Sequence, residues 1–372
     1  MAMAQARSSK FVRTAGTAAI AALAVLAAAC SSSKPAASPA TTSANGGSGG
    51  SSPAQAPSSA AGGGSSDIKG QRFTMMVQST PNVNKVVEAH AIDIMKQDGV
   101  NASIKYNAST PNVAISQLLN GDIDVYGEAV TGGVAAAAQG IPLVDFAVLQ
   151  PRQDYVFIAK PNIKSLADLK GKKIGVQDTT GVNYAQALIV LQAAKLDVKD
   201  VSIIAAGGQS SRLPALVAGR VDATMLSHSA QIQLAPQGYN VLYDFTKQSA
   251  NLYDDNGFAT KNWLAQHKAL AVEFNKAILE SFKWFDDPAN ADAVVTEALA
   301  IQKGADKAQT TKLFDMLRQA SGYPEGTIVD PSVLDEEQNL FKQAKAITDT
   351  VPIDQWVDAS FAQQAKSALG SS

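Results

Sequence analysis

Two stretches of the chain repeat one design 98 positions apart: LLNGDIDVYGE (Leu118 to Glu128) and LVAGRVDATMLS (Leu216 to Ser227). Each reads as the end of a helix, a glycine, one polar residue, Ile or Val, an Asp, and a short strand. Gly121 and Gly219 fall where a helix C-terminus takes a left-handed residue, a conformation open to glycine at little steric cost. The chain then runs straight into a strand whose far end opens into a polar loop. The interval is far longer than a solenoid repeat. The echo therefore predicts two α/β halves of related plan.

The rest of the pattern agrees. RFTMMVQ (Arg72 to Gln78), Ala102 to Tyr106 and Ile123 to Tyr126 read as strands, and Val83 to Lys96 and Val113 to Leu119 as helices between them. Helices between short apolar strands imply crossover units and a mostly parallel sheet. Two extended segments without helical period read as crossings between the halves: Ala147 to Pro161 and Tyr243 to Thr260. Residues 67–150 plus 249–372 then form lobe 1, and residues 151–248 form lobe 2. Some 300 residues exceed one comfortable core, which supports the division. From Lys261 the pattern is helical, and NWLAQHKALAVEFNKAILESFKWF reads as one long amphipathic stretch. The helical tail is expected to pack on lobe 1.

The first 66 residues differ in kind. Arg7, Lys10 and Arg13 precede the uncharged run Ala15 to Ala29, which reads as a signal peptide over 1–29. That run is shorter than the roughly 20 residues a spanning helix needs. Ala27-Ala28-Ala29-Cys30 resembles a bacterial lipobox, in which the cysteine is lipidated. Ala27 stands where a large aliphatic residue is usual, and ordinary cleavage after small residues is the competing reading. Cys30 is the one cysteine of the chain, so it has no partner within it for a disulfide. Ser31 to Ser66 is almost wholly Ser, Ala, Gly, Pro and Thr, too poor in apolar bulk to bury. It reads as a disordered tether, which together with Cys30 fills residues 30–66; as a flexible coil it would reach roughly 35 Å.

Charge removes other classes. The first 66 residues hold four basic residues and no acid, so the remainder has 27 basic against 33 acidic residues. No basic patch points to nucleic acid. His90, His228 and His267 are far apart, and no metal-ligand spacing, nucleophile elbow or P-loop occurs. No cofactor is implied.

Candidate contacts come from a rule of open α/β sheets, which bind ligands in loops at the strands' C-terminal ends. The loops are Gln78-Ser79-Thr80, Ser109-Thr110, Glu128 to Thr131, Gln177-Asp178-Thr179-Thr180-Gly181, Ser227-His228, and Gln209-Ser210 at a helix start. Ser and Thr at such places also serve simply as helix caps. In SLADLKGKKIGVQDTTG, Ser165 to Asp168 has the form of a capping box, Gly171 stops the short helix, and KKIGVQ is a strand. Arg212 reads either as a bidentate clamp for an anion or as a solvated helix residue. Glu128 and Asp178 would repel a sulfonate and suit an amine or an aminopyrimidine. Tyr106, Tyr126, Tyr155, Tyr184 and Tyr253 offer rings for stacking or for the core.

IKSLADLKGKKIGVQDTTG (Ile163 to Gly181), with ALVAGRVDA and LLNGDIDV, resembles the nitrate/sulfonate/taurine-type, NMT1/THI5-like solute-binding proteins of ABC importers. The likeness is good from Gln71 to Pro288 and fades through the tail. It implies a two-lobed periplasmic-binding-protein type II fold with a helical C-terminal tail. It also implies a small organic ligand (sulfonate, nitrate or taurine, an aromatic acid, or a pyrimidine) and delivery to a permease driven by an ATPase. The expected protein is a monomer outside the cytoplasm, lipid-anchored through Cys30, and not an enzyme. Pyrimidine synthases of the same fold use a cysteine cluster that this chain lacks. A ligand-sensing lipoprotein remains the alternative to a transport role.

Overall fold

The computed structural model describes residues 67–370 apart from 78–79, 107–110, 180–181, 249–251 and 321, and without the side chains of 111, 112 and 128. The signal-like run, Cys30 and the tract to Ser66 lie outside the described residues.

Short apolar segments form two five-stranded sheets. The chain runs through β1 (Arg72–Val77), α1 (Val86–Gln97), β2 (Asn101–Tyr106), α2 (Pro111–Asn120), β3 (Val125–Ala129), α3 (Val130–Ala138) and β4 (Leu143–Gln150). It continues through β5 (Val156–Ala159), β6 (Lys173–Val176), α4 (Val182–Ala193), β7 (Ser202–Ala205), α5 (Gln209–Val217), β8 (Ala223–Leu226), α6 (His228–Leu234), β9 (Asn240–Asp244) and the single turn α7 (Phe245–Gln248). It then enters β10 (Asp255–Thr260), followed by α8 (Lys261–Gln266), α9 (Lys268–Asp286), α10 (Ala291–Ile301), α11 (Lys307–Gln319), α12 (Pro331–Gln343) and α13 (Ser360–Gly370).

The sheets share one plan. Their orders are β2-β1-β3-β10-β4 and β7-β6-β8-β5-β9. In each, three strands joined by helical crossovers run parallel, and the fourth is antiparallel to both its neighbours. That reversed strand is the one by which the chain arrives from the other sheet, and the edge strand beside it is the one by which it leaves. Four of five strands thus share a direction in each sheet, as the pattern of apolar runs predicts. The reversed strand follows from sending the chain across twice.

The two glycines of the echo behave alike. Gly121 and Gly219 have φ of 76° and 74°. Their N–H groups bond to Leu118 and Leu216, and the next residues close a wider turn onto Gln117 and Ala215. Each turn ends a helix, and a strand starts within a few residues of it. The capping box also forms: the Asp168 carboxylate accepts the N–H groups of Lys164 and Ser165 at 3.0 and 2.9 Å and the Ser165 hydroxyl at 2.9 Å.

The tail departs from the sequence reading in two respects, its first stretch and its packing partners. Its first stretch is two helices, because His267 leaves helical geometry (φ −123°, ψ 40°) between α8 and α9. The His267 N–H and its ring Nδ1 both lie 2.9–3.0 Å from the Trp263 carbonyl, so the ring caps the first helix. Helix α9 carries Phe274, Ile278, Phe282 and Phe285 into the core under the first sheet, against Phe73 and Phe146. The Phe73 and Phe274 ring centres are 5.1 Å apart. Helix α12 takes a different course, with Leu334 and Phe341 in a second cluster that joins Val130 and Val134 of α3 to Ala185 of α4. The tail therefore packs on helices belonging to both sheets.

Candidate functional site

The strands β1, β3 and β8 direct their C-terminal ends to one polar cavity of about 560 Å³. Thr80, just past β1, Ala129 at the end of β3, and Ser227 just past β8 line it, with Gln209 at the start of α5. The crossing segments contribute Gln150, Asp154 and Tyr155 on one side and Asp254 and Asp255 on the other. Asn82, Asn84 and Lys85 enter from the turn before α1, and Gln302 and Leu313 close it from the tail.

Side chains inside the cavity hold each other in place. Lys85 is buried, and its ammonium contacts Asp255, Glu88 at 3.3 Å and Gln150 at 3.1 Å. Burial works against its charge, but Asp255 and Glu88 outweigh this and hold the pKa well above the ordinary lysine value. The Gln150 amide donates to Asp254 at 2.6 Å, and the Asn84 amide to Asp154 at 2.6 Å. Gln209 and Ser227 exchange two bonds, the Ser227 N–H to the amide oxygen at 2.8 Å and the amide nitrogen to the hydroxyl at 3.0 Å. Burial, and then the neighbouring charge of Asp255, push the Asp254 carboxyl up to about 8.

Behind this wall His228 joins the two crossings. Its Nδ1 pairs with Asp154 on the first, and its Nε2 lies 3.4 Å from Asp244 on the second. Burial disfavours the charged ring, but the bonds to Asp154 and Asp244 overcome this and raise His228 to about 9. The ring is therefore an imidazolium at neutral pH, held between two carboxylates.

Thr80, Gln209 and Ser227 are thus brought together. Gln177, Asp178 and Thr179 follow β6 but do not line this cavity. Gln78, Ser79, Ser109, Thr110 and Thr180 lie outside the described residues. The backbone of Glu128 pairs with Asn256 in the sheet, while its side chain is not described. Arg212 is neither solvated nor in the cavity lining: it is 1 % exposed, with Nε donating to the Met225 carbonyl at 3.2 Å and its Nη1 to the Gly207 carbonyl at 2.8 Å. It fastens the ends of β8 and β7 rather than offering a free fork. Tyr155 is the one of the five tyrosines that lines the cavity. Sequence reasoning missed Lys85, Gln150, Asp154, Asp254 and Asp255. The acidic pair in YDDNG lay inside the predicted second crossing and was the available signal.

Comparison with known proteins agrees with this architecture. The NMT1/THI5-like family model matches residues 80–291. Ninety residues are 38 % identical to a Haemophilus influenzae protein named for thiamine biosynthesis, a match over 24 % of this chain and 28 % of that one. Among solved structures, the periplasmic aliphatic sulphonate binding protein SsuA of Escherichia coli superposes with a TM-score of 0.60 at 19 % identity, over 77 % of this chain and 91 % of its own. The periplasmic nitrate-binding protein NrtA of Synechocystis PCC 6803 gives 0.61 at 12 %, over 81 % and 89 %. The desulfurization enzyme DSZB gives 0.57 at 15 %, over 80 % and 100 %. At these identities the likeness shows a common fold.

Proposed function

The chain belongs to the NMT1/THI5-like family, and on that premise we propose that it is the extracytoplasmic solute-binding component of an ABC importer. It captures one small organic molecule between its two sheets and hands it to a permease. The observation that carries this reading is the polar cavity, into which both sheets and both crossings send side chains. A ligand there touches each half, so it favours a closed arrangement by the difference in contact between open and closed states. The candidate ligands are sulfonates, nitrate or taurine, aromatic acids and pyrimidines. Cys30 lipidation and the tract to Ser66 supply the anchor and its reach, so a Cys30→Ser variant should leave the membrane fraction.

The enzyme reading has less support. The one cysteine is at position 30, and the single histidine near the cavity has each ring nitrogen beside a carboxylate. The desulfurization enzyme among the similar folds keeps turnover worth testing. The test is mass spectrometry of small molecules released when the purified protein is denatured. A single unaltered organic compound in near-equimolar amount is expected. Release of nothing, from protein that also ignores a metabolite extract, would contradict solute binding, and a transformed product would favour the enzyme.

A further inference from the structure

We infer that the cavity takes an organic cation with N–H donors, such as an amine, amidine or guanidine, in preference to an oxyanion. The inference rests on the solute-binding reading and names the ligand class for the same cavity.

Three acidic side chains, the carboxylates of Asp154 and Asp255 and the carboxyl of Asp254, line the cavity against one ammonium, that of Lys85. An ammonium has three donors, and Glu88, Gln150 and Asp255 surround this one. The second cation nearby, His228, has its two ring nitrogens beside Asp154 and Asp244. Arg212, the guanidinium a sulfonate or nitrate would use, is turned to two backbone carbonyls. An entering oxyanion therefore meets carboxylates with no uncommitted positive side chain among the described lining residues. An entering cation meets acceptors. The remaining lining suits an organic body, with Tyr155, Leu313 and Ala129 as apolar surface and Thr80, Asn82 and Ser229 as polar edges.

Asp254 is the residue that responds. Around it stand Lys85 before α1, Gln150 on β4, Asp154 and Tyr155 on the first crossing, Asp255 on β10, and Tyr323 and Glu337 of the tail. Its carboxyl holds a proton at neutral pH. A bound cation stabilises the carboxylate, so the proton leaves to solvent as the cation docks. Binding then tightens with rising pH until Asp254 ionises on its own, by up to about tenfold per pH unit below 8.

The experiment uses the purified full-length protein and two probe panels: benzamidine, agmatine and putrescine against ethanesulfonate, nitrate and benzoate. Thermal shifts are measured from pH 6 to 9, and any binder is titrated calorimetrically at pH 7 in phosphate and in Tris. The expected result is stabilisation by at least one cation and no anion, with a shift that grows from pH 6 to 8. The two buffers should differ in apparent enthalpy by close to one released proton. Asp254→Asn should bind more weakly and lose the pH dependence, and the two-buffer comparison on wild type stands if that variant folds poorly. Stabilisation by an anion, binding without proton release, or silence from every cation would overturn the inference. An anion hit would leave solute binding intact, whereas the release experiment above tests solute binding separately.

Discussion

The Asp124 carboxylate accepts the backbone N–H of Thr74 at 2.7 Å while the Asp124 N–H donates to the Thr74 carbonyl at 2.8 Å. In the other sheet Asp222 does the same with Lys173, at 2.9 and 2.7 Å. Each carboxylate also holds a cation, Arg72 at 3.3 Å and Lys160 at 2.7 Å. The aspartate of the sequence echo is thus a clasp that fixes β1 and β6 to the residue entering the next strand. Asp124→Ala leaves a buried amide unsatisfied, which costs about 1–3 kcal/mol. Asp222→Ala should cost less, because the Lys173 amide it accepts is exposed and water can replace that bond, and the double variant should cost about the sum, since the two clasps share no partner. Denaturant midpoints of the three variants check this.

Gly133 lets α3 lie on the first sheet. A Cβ placed there would come within 2.1 Å of the Phe258 ring. Phe258 is buried in the cluster that also holds Val130, Val134 and Trp356. Gly133→Ala should therefore destabilise by about 1–3 kcal/mol as the ring is displaced, despite alanine's better helix propensity. Gly140→Ala serves as a contrast. Nothing surrounds that position, and its φ of +75° alone sets the smaller expected cost.

His228 sets a pH dependence whose sign is fixed by its neighbours. Its pKa rises from 6.5 to about 9 on folding. A group raised on folding gives stability that is fully present below its unfolded value and lost as pH rises through the folded one. Stability should fall between pH 6.5 and 9, by up to about 3 kcal/mol from this group. Asp254, raised from 3.8 to about 8, acts in the same direction between those values. His228→Gln should lower the unfolding free energy at pH 6 by about 3–5 kcal/mol, because Asp154 and Asp244 lose their cation, and should flatten the alkaline decline. Urea titrations at pH 6, 7.5 and 9 measure both effects.

What the sequence made legible follows from locality. Gly121, Gly219 and the Ser165–Asp168 box satisfy groups within a few residues, so their pattern is visible in the chain. The strand-end rule selected Thr80, Gln209 and Ser227, which line one cavity, because crossover topology dictates where such ends lie. Lys85 was invisible for the opposite reason, since its partners Gln150 and Asp255 are 65 and 170 residues away. Arg212 looked free because its partners are backbone carbonyls, those of Gly207 and Met225, which no side-chain pattern reveals. The break at His267 was hidden because apolar spacing continues through it on both sides.

The central claim is that a solute sits between the two sheets. Ala129→Trp places an indole at the end of β3, on the wall of the cavity, and tests it directly. Calorimetric titration with the compound released from the purified protein should show one-to-one binding by the wild type. The Ala129→Trp variant, confirmed folded by circular dichroism, should bind at least about 100-fold more weakly, a loss of about 2.7 kcal/mol. Binding by that variant with undiminished affinity would place the solute elsewhere and contradict the account.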